Sequence, residues 1–132
     1  WVISVEGVTV PTISSTSTIT NKRNQPRIVS AASYTTDTGT SLDVSTTDIF
    51  VITAQAGALL FNAPSGTPIQ GEKLIIRIKD NGTARALTWN AVFRAMWTAL
   101  PSTTILSKTL YLWFIYNSTD TKWDLVSSAQ EA

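Results

Sequence analysis

The charged groups of this 132-residue chain are nine carboxylates and ten Lys or Arg side chains; it holds no His and no Cys. Those two absences remove Ser-His-Asp and Cys-His catalysis, His-ligated zinc, thiolate metal sites and disulfides. Glycoside hydrolysis would need two opposed carboxylates. The acids are Glu6, Asp37, Asp43, Asp48, Glu72, Asp80, Asp120, Asp124 and Glu131. Most fall at expected turns or strand ends, where turn-forming or solvated roles suffice, and no spacing marks a pair. The expectation is a protein that is not an enzyme and takes no cofactor or metal.

The densest polar cluster is Lys79-Asp80-Asn81-Gly82. A calcium loop needs several oxygen ligands at close spacing, and the next acid after Asp80 is Asp120, so a turn is the better reading. Asn-Gly is a strong signal for a type I′ hairpin turn. A hairpin closed there pairs Asp80 with Thr83, Ile78 with Arg85, Ile76 with Leu87 and Leu74 with Trp89, turning the apolar set toward a core. Ile75, Arg77 and Lys79 then face solvent or a neighbouring subunit.

Aromatic rings offer a second chemistry. Sugars stack on exposed Trp and Tyr beside hydrogen-bonding side chains. Arg94, Trp97, Tyr34, Tyr116 and Asn117 are the candidate ligand-binding residues; Trp113 and Trp123 are further rings. The competing reading puts Trp89 and Trp123 in the core and Trp113 in an interface. Asn81-Gly82-Thr83 and Asn117-Ser118-Thr119 match glycosylation sequons, but both fall at turns where Asn is expected anyway.

The elements that position these residues are strands. Charged residues are 14% of the chain and the net charge is +1, which gives no electrostatic pull toward nucleic acid or an anionic membrane. Ser, Thr and β-branched residues abound, which favours sheet. The uncharged run Ile49 to Gly71 carries Pro64, Pro68 and three glycines and cannot serve as a membrane helix, so no membrane insertion is expected. The chain opens at Trp1 with no signal-peptide pattern and reads as a fragment or processed product.

Residues 1–20 read as a short strand and a Ser/Thr-rich connector, and residues 21–132 as one β domain. Strands are expected from Pro26 to about Tyr34, at Ser41 to Val44, Ile49 to Thr53, Ala58 to Asn62, along "LYLWFIYN", and in "KWDLVSSA", which pairs back after a turn at "STDT". Ala91 to Leu100 fits a helical turn or a strand and loop equally well. Turn signals recur about every ten residues, the spacing of an all-β sandwich or barrel. "LYLWFIYN" is apolar on both faces: Leu110, Leu112, Phe114 and Tyr116 on one, Tyr111, Trp113 and Ile115 on the other. A face that apolar is rare on a soluble monomer. Tyr111, Trp113, Ile115 and Arg77 are therefore the candidate subunit interface.

Three long phrases carry a resemblance: "NKRNQPRI", "APSGTPIQGEKLIIRIKDNGTARALTWNAVFRA" and "LSKTLYLWFIYNSTDTKWDLV". From about Thr20 to its end the chain resembles a C-terminal domain of bacteriophage virion proteins, including tail fibres and minor tail proteins. The resemblance implies a jelly-roll-like antiparallel β-sandwich, trimeric, at the distal end of a fibre. It implies attachment to host cell-surface glycan (receptor binding), with the rest of the parent virion protein as a partner and the virion surface, outside the cell, as location. Other members sit on varied virion proteins, so a structural trimerisation or capsid or tail decoration role is the alternative, and a polysaccharide depolymerase the third. The resemblance makes the KDNGTAR segment shared scaffold and leads one to expect a residue smaller than Trp113 at that position. It carries over no ligand residue.

Overall fold

The structure, a computed structural model, describes residues 25–132 together with the strands β1 (Ile3–Val5) and β2 (Val8–Val10), which pair antiparallel. The Ser/Thr-rich connector expected up to residue 20 lies, from residue 11 onward, outside the described residues. The remaining strands are β3 (Ile28–Ala31), β4 (Ile49–Gln55), β5 (Leu59–Phe61), β6 (Lys73–Asp80), β7 (Leu87–Trp89), β8 (Phe93–Ala95), β9 (Leu110–Asn117) and β10 (Lys122–Gln130). Ser41 to Val44 forms no strand of its own; a short 3-10 turn, Gly39–Ser41, precedes an isolated bridge between Asp43 and Ser65. Within Ala91 to Leu100 the strand alternative holds, at β8. The chain is all-β, with no α-helix among the described residues.

Six strands form one sheet in the order β3-β4-β6-β9-β10-β8, and β5 pairs with β7 apart from it. The expected purely antiparallel arrangement is corrected: β3–β4, β4–β6, β10–β8 and β5–β7 are parallel, and only β6–β9 and β9–β10 of the main sheet run antiparallel. Parallel neighbours need crossovers. Here the chain leaves β4 through Ala56-Gly57, adds β5 to the separate pair it forms with β7, and returns for β6.

The same logic overturns the hairpin at Asn81-Gly82. β6 is flanked by β4 and β9, and β7 pairs with β5, so Ile78 meets Leu110 and Ile76 meets Leu112 instead of Arg85 and Leu87. A type I′ turn requires positive φ at both central residues. Gly82 has it, at 92°, and Asn81 does not. The Asp80 carboxylate accepts the Gly82 N–H at 3.0 Å, and the Asn81 N–H stays bonded to Gln55 O, so the chain bends out of the sheet rather than folding back. The faces were nonetheless read correctly, because alternation along one strand survives a change of partner. Leu74, Ile76 and Ile78 are fully buried, and Leu87 and Trp89 join the same core.

Trp89 ties the β5–β7 pair to the six-stranded sheet. Its ring stacks on Phe61 at 4.2 Å between centroids and meets the edge of Phe93 at 5.4 Å, while its Nε1–H donates to Pro101 O. Phe114 of β9 closes the cluster against Phe93 at 5.2 Å. Trp123 is buried beside Tyr116. The turn at "STDT" joins β9 to β10 as expected.

Candidate functional site

One face of the six-stranded sheet, the one turned away from the core, carries large apolar side chains left partly exposed. Strand register aligns its side chains in two rows. One runs Ile28, Ile49, Ile75, Trp113, Ser127, and the other Ser30, Val51, Arg77, Tyr111, Ala129, each crossing five strands. Both consist of alternate residues pointing away from the core. Tyr111 and Trp113 stay 44% and 45% exposed, and Ile28 58%. Val51 is buried yet lies outside the main core cluster, because its neighbours on this outer face enclose it.

The rows enclose a groove of about 460 Å³ lined by Ile49, Val51, Ile75, Arg77, Tyr111 and Trp113 among others, in which Arg77 is the one ionisable cation and no carboxylate appears. Past Trp113, toward the start of the three parallel strands, it continues into a wetter hollow of about 610 Å³. Pro26, Arg27, Asp48, Ile69, Glu72 and Lys73 line it with Ile49, Ile75 and Trp113. Arg27 is fixed there: its Nε–H and backbone N–H both donate to Asp48 Oδ2, at 3.1 and 2.7 Å, and Nη1–H donates to Ser45 O. The Arg27 hydrogen bond holds the Asp48 carboxyl below the usual carboxylate range against the opposing effect of burial.

The four expected interface residues, Tyr111, Trp113, Ile115 and Arg77, come together on this face. The five expected ligand-binding residues do not form one site. Tyr116 is buried in the core, and Tyr34 is half-buried with its ring stacked on Phe50 at 5.3 Å. Asn117 and Arg94 share a corner where their polar groups serve the fold. The Asn117 Oδ1 accepts the N–H groups of Thr119 and Asp120, and Arg94 ion-pairs with Asp120 and Asp124. That pairing raises the Arg94 pKa and lowers that of Asp124. Trp97 alone is presented completely to solvent, on the bend after β8, beside the half-exposed Met96.

The sequence reading missed Ile28, Ile49 and Val51 as members of the outer face. Their own strands showed apolar runs, but only the parallel register sets them beside Trp113 and Tyr111. No protein-family model, curated protein or solved structure matches the chain.

Proposed function

We propose that this chain is a non-enzymatic module of a bacteriophage virion protein, at the tip of a fibre or on a tail protein, that assembles as a homotrimer and attaches the particle to host cell-surface glycan. The six-stranded sheet and the β5–β7 pair are read as the two layers of a jelly-roll-like sandwich, and the virion surface as its location. The observation that carries the reading is the outer-face groove. Its lining is rich in aromatic and aliphatic side chains, contains Arg and lacks carboxylates, the composition of an interface core. Three copies of a shallow binding surface on one rigid body supply avidity that a single copy lacks. The resemblance carried by the KDNGTAR and LYLWFIYN phrases supports the virion setting.

The alternative, a trimerisation or decoration domain without a ligand, draws support from Arg94 and Tyr116, whose polar and apolar surfaces are consumed by the fold. A depolymerase is disfavoured by the carboxylates. A general acid needs a raised pKa. Asp43, Asp48, Asp80, Asp124 and Glu131 are all shifted downward. No helix among the described residues is long and apolar enough to cross a membrane. Native mass spectrometry tests the assembly: a three-chain mass supports the reading, and a single-chain mass at micromolar concentration overturns it. Host-cell pull-down separates adhesion from decoration, and silence across host surfaces favours the latter.

A further inference from the structure

We propose that the wet hollow at the strand-start end of the outer face is a subsite for an uncharged saccharide, with the Trp113 ring as its platform and Glu72 and Lys73 as its principal hydrogen-bonding groups. The proposal rests on the adhesion reading and names the place and ligand class that serve it.

The outer face divides at Trp113. On one side the 460 Å³ groove offers a single charged group, Arg77, and suits burial against another copy. On the other, the 610 Å³ hollow carries four charged side chains around the apolar floor of Ile49 and Ile75. Four charges are costly to bury in a subunit interface, but they match a ligand made of hydroxyls.

The backbone fixes these groups in place. The Glu72 N–H donates to Ile69 O at 3.1 Å, its carbonyl accepts the Tyr116 N–H at 2.9 Å, and its Oε2 accepts the Ile69 N–H at 2.9 Å. That leaves Oε1 for a ligand. Lys73, the next residue, is exposed and lines the same hollow, and its ammonium makes no hydrogen bond among the described residues. Asp48 and Arg27 also line the hollow, already paired with each other.

A pyranose has a C–H patch on one face and hydroxyls around its rim. The patch lies on an indole, while the rim both donates and accepts. Lys73 and Arg27 supply donors, and Glu72 and Asp48 supply acceptors. Two cations against two anions leave the hollow with no net charge. The hollow as a whole therefore exerts no net pull on a uronate or sialic acid, and a neutral hexose is the ligand class proposed.

The test uses the intact chain on an array holding neutral glucose, galactose, mannose and N-acetylglucosamine oligomers beside sialylated and uronate-bearing ones. The expected result is neutral binding that an E72Q/K73A double variant weakens by ~10-fold or more, about 1.4 kcal/mol, with the native mass unchanged. W113F keeps the platform and retains binding. Neutral binding that survives E72Q/K73A overturns the assignment of the site while leaving adhesion standing. Binding of acidic saccharides alone overturns the ligand class. Silence from the native chain on every saccharide overturns this proposal and the adhesion reading together.

Discussion

Arg94 on β8 holds Asp124 on β10 by two hydrogen bonds, Nε–H to Oδ1 at 2.7 Å and Nη2–H to Oδ2 at 3.0 Å, and the two residues are direct partners in the parallel register. The remaining guanidinium nitrogen, Nη1, reaches Asp120 Oδ2 at 2.9 Å. β8 is a three-residue edge strand, so this clamp fastens it to the sheet alongside its backbone bonds and the packing of Phe93. R94A is therefore expected to speed amide exchange across Phe93–Ala95 and lower the melting temperature, while saccharide and host-cell binding per folded molecule stay unchanged. R94K keeps the charge but loses the planar fork, so it should recover only part of the protection. Lost binding by a fully folded R94A would return Arg94 to the ligand site.

Asp80 is a buried polar anchor of the fold. It accepts from the Ser107 N–H at 2.9 Å, the Thr104 hydroxyl at 2.8 Å and the Gly82 N–H at 3.0 Å. D80A leaves the buried Thr104 hydroxyl and the part-buried Ser107 and Gly82 N–H groups without their acceptor and is expected to cost on the order of 3 kcal/mol in chemical denaturation. The pH dependence follows from the direction of the shift. Burial alone would raise the Asp80 pKa, but the hydrogen bonds from Ser107, Thr104 and Gly82 outweigh it and hold the folded-state value below the ordinary one. A depressed carboxylate stabilises the fold above its unfolded pKa, about 4, and that contribution disappears as pH falls through the lower folded value. Asp48 and Asp124 are shifted the same way. Stability should thus be level above about pH 5 and fall steeply below about pH 4. D80N, weaker at neutral pH, should fall less steeply.

The strand Leu110–Asn117 was legible to the residue, because an eight-residue run of aromatic and aliphatic side chains admits little else. That Leu74, Ile76 and Ile78 enter the core was legible from alternation alone, whereas the burial of Asp80, read as a turn tip, was not. The pairing of β9 with β10 was legible too, because a short turn joins them, but the partners of β4, β6 and β7 were not. Asn-Gly is a local signal, and it outweighed in the reading a parallel register joining Ile76 to Phe50, twenty-six positions earlier, which no local pattern encodes. The candidate site shows the same division. Tyr111, Trp113 and Arg77 were visible as outward-pointing residues of their own strands, whereas Arg94 looked available because its partner Asp124 lies 30 residues away. A long-range ion pair has no signature in local spacing.

Two glycines separate backbone strain from steric conflict. Gly66 and Gly71 both take positive φ, 89° and 80°. A Cβ on Gly66 would stand 2.6 Å from Asp43 Oδ1 and 3.0 Å from the Ser45 nitrogen, whereas one on Gly71 would meet nothing within 4 Å. G71A is expected to cost about 1 kcal/mol, the strain of a left-handed Ala. G66A should cost about 2 kcal/mol or more, since it also displaces the Asp43 carboxylate from the Ser45 N–H and hydroxyl it accepts. Equal costs in urea titration would mean that the Asp43–Ser45 turn yields freely.

Neighbouring residues of β9 give opposite expectations, and their contrast tests the assembly. Phe114 is fully buried against Phe93 and Trp89, so F114A should cost the fold about 3–5 kcal/mol. Tyr111 and Trp113 point the other way, into the groove beside Val51 and Ile75. A Y111S/W113S variant removes two large apolar side chains from a surface that, in a single chain, they leave partly in water. It should cost the folded chain no more than about 1 kcal/mol. In an assembly that buries the groove as far as Trp113 the same change removes Tyr111 and the groove-side surface of Trp113, and aromatic anchors of this kind typically carry most of an interface's free energy. The variant should therefore run as a folded single chain in native mass spectrometry, with a melting temperature independent of concentration, whereas the parent's is expected to rise with it. A three-chain mass retained by Y111S/W113S would move the interface elsewhere and leave the whole outer face free for ligand.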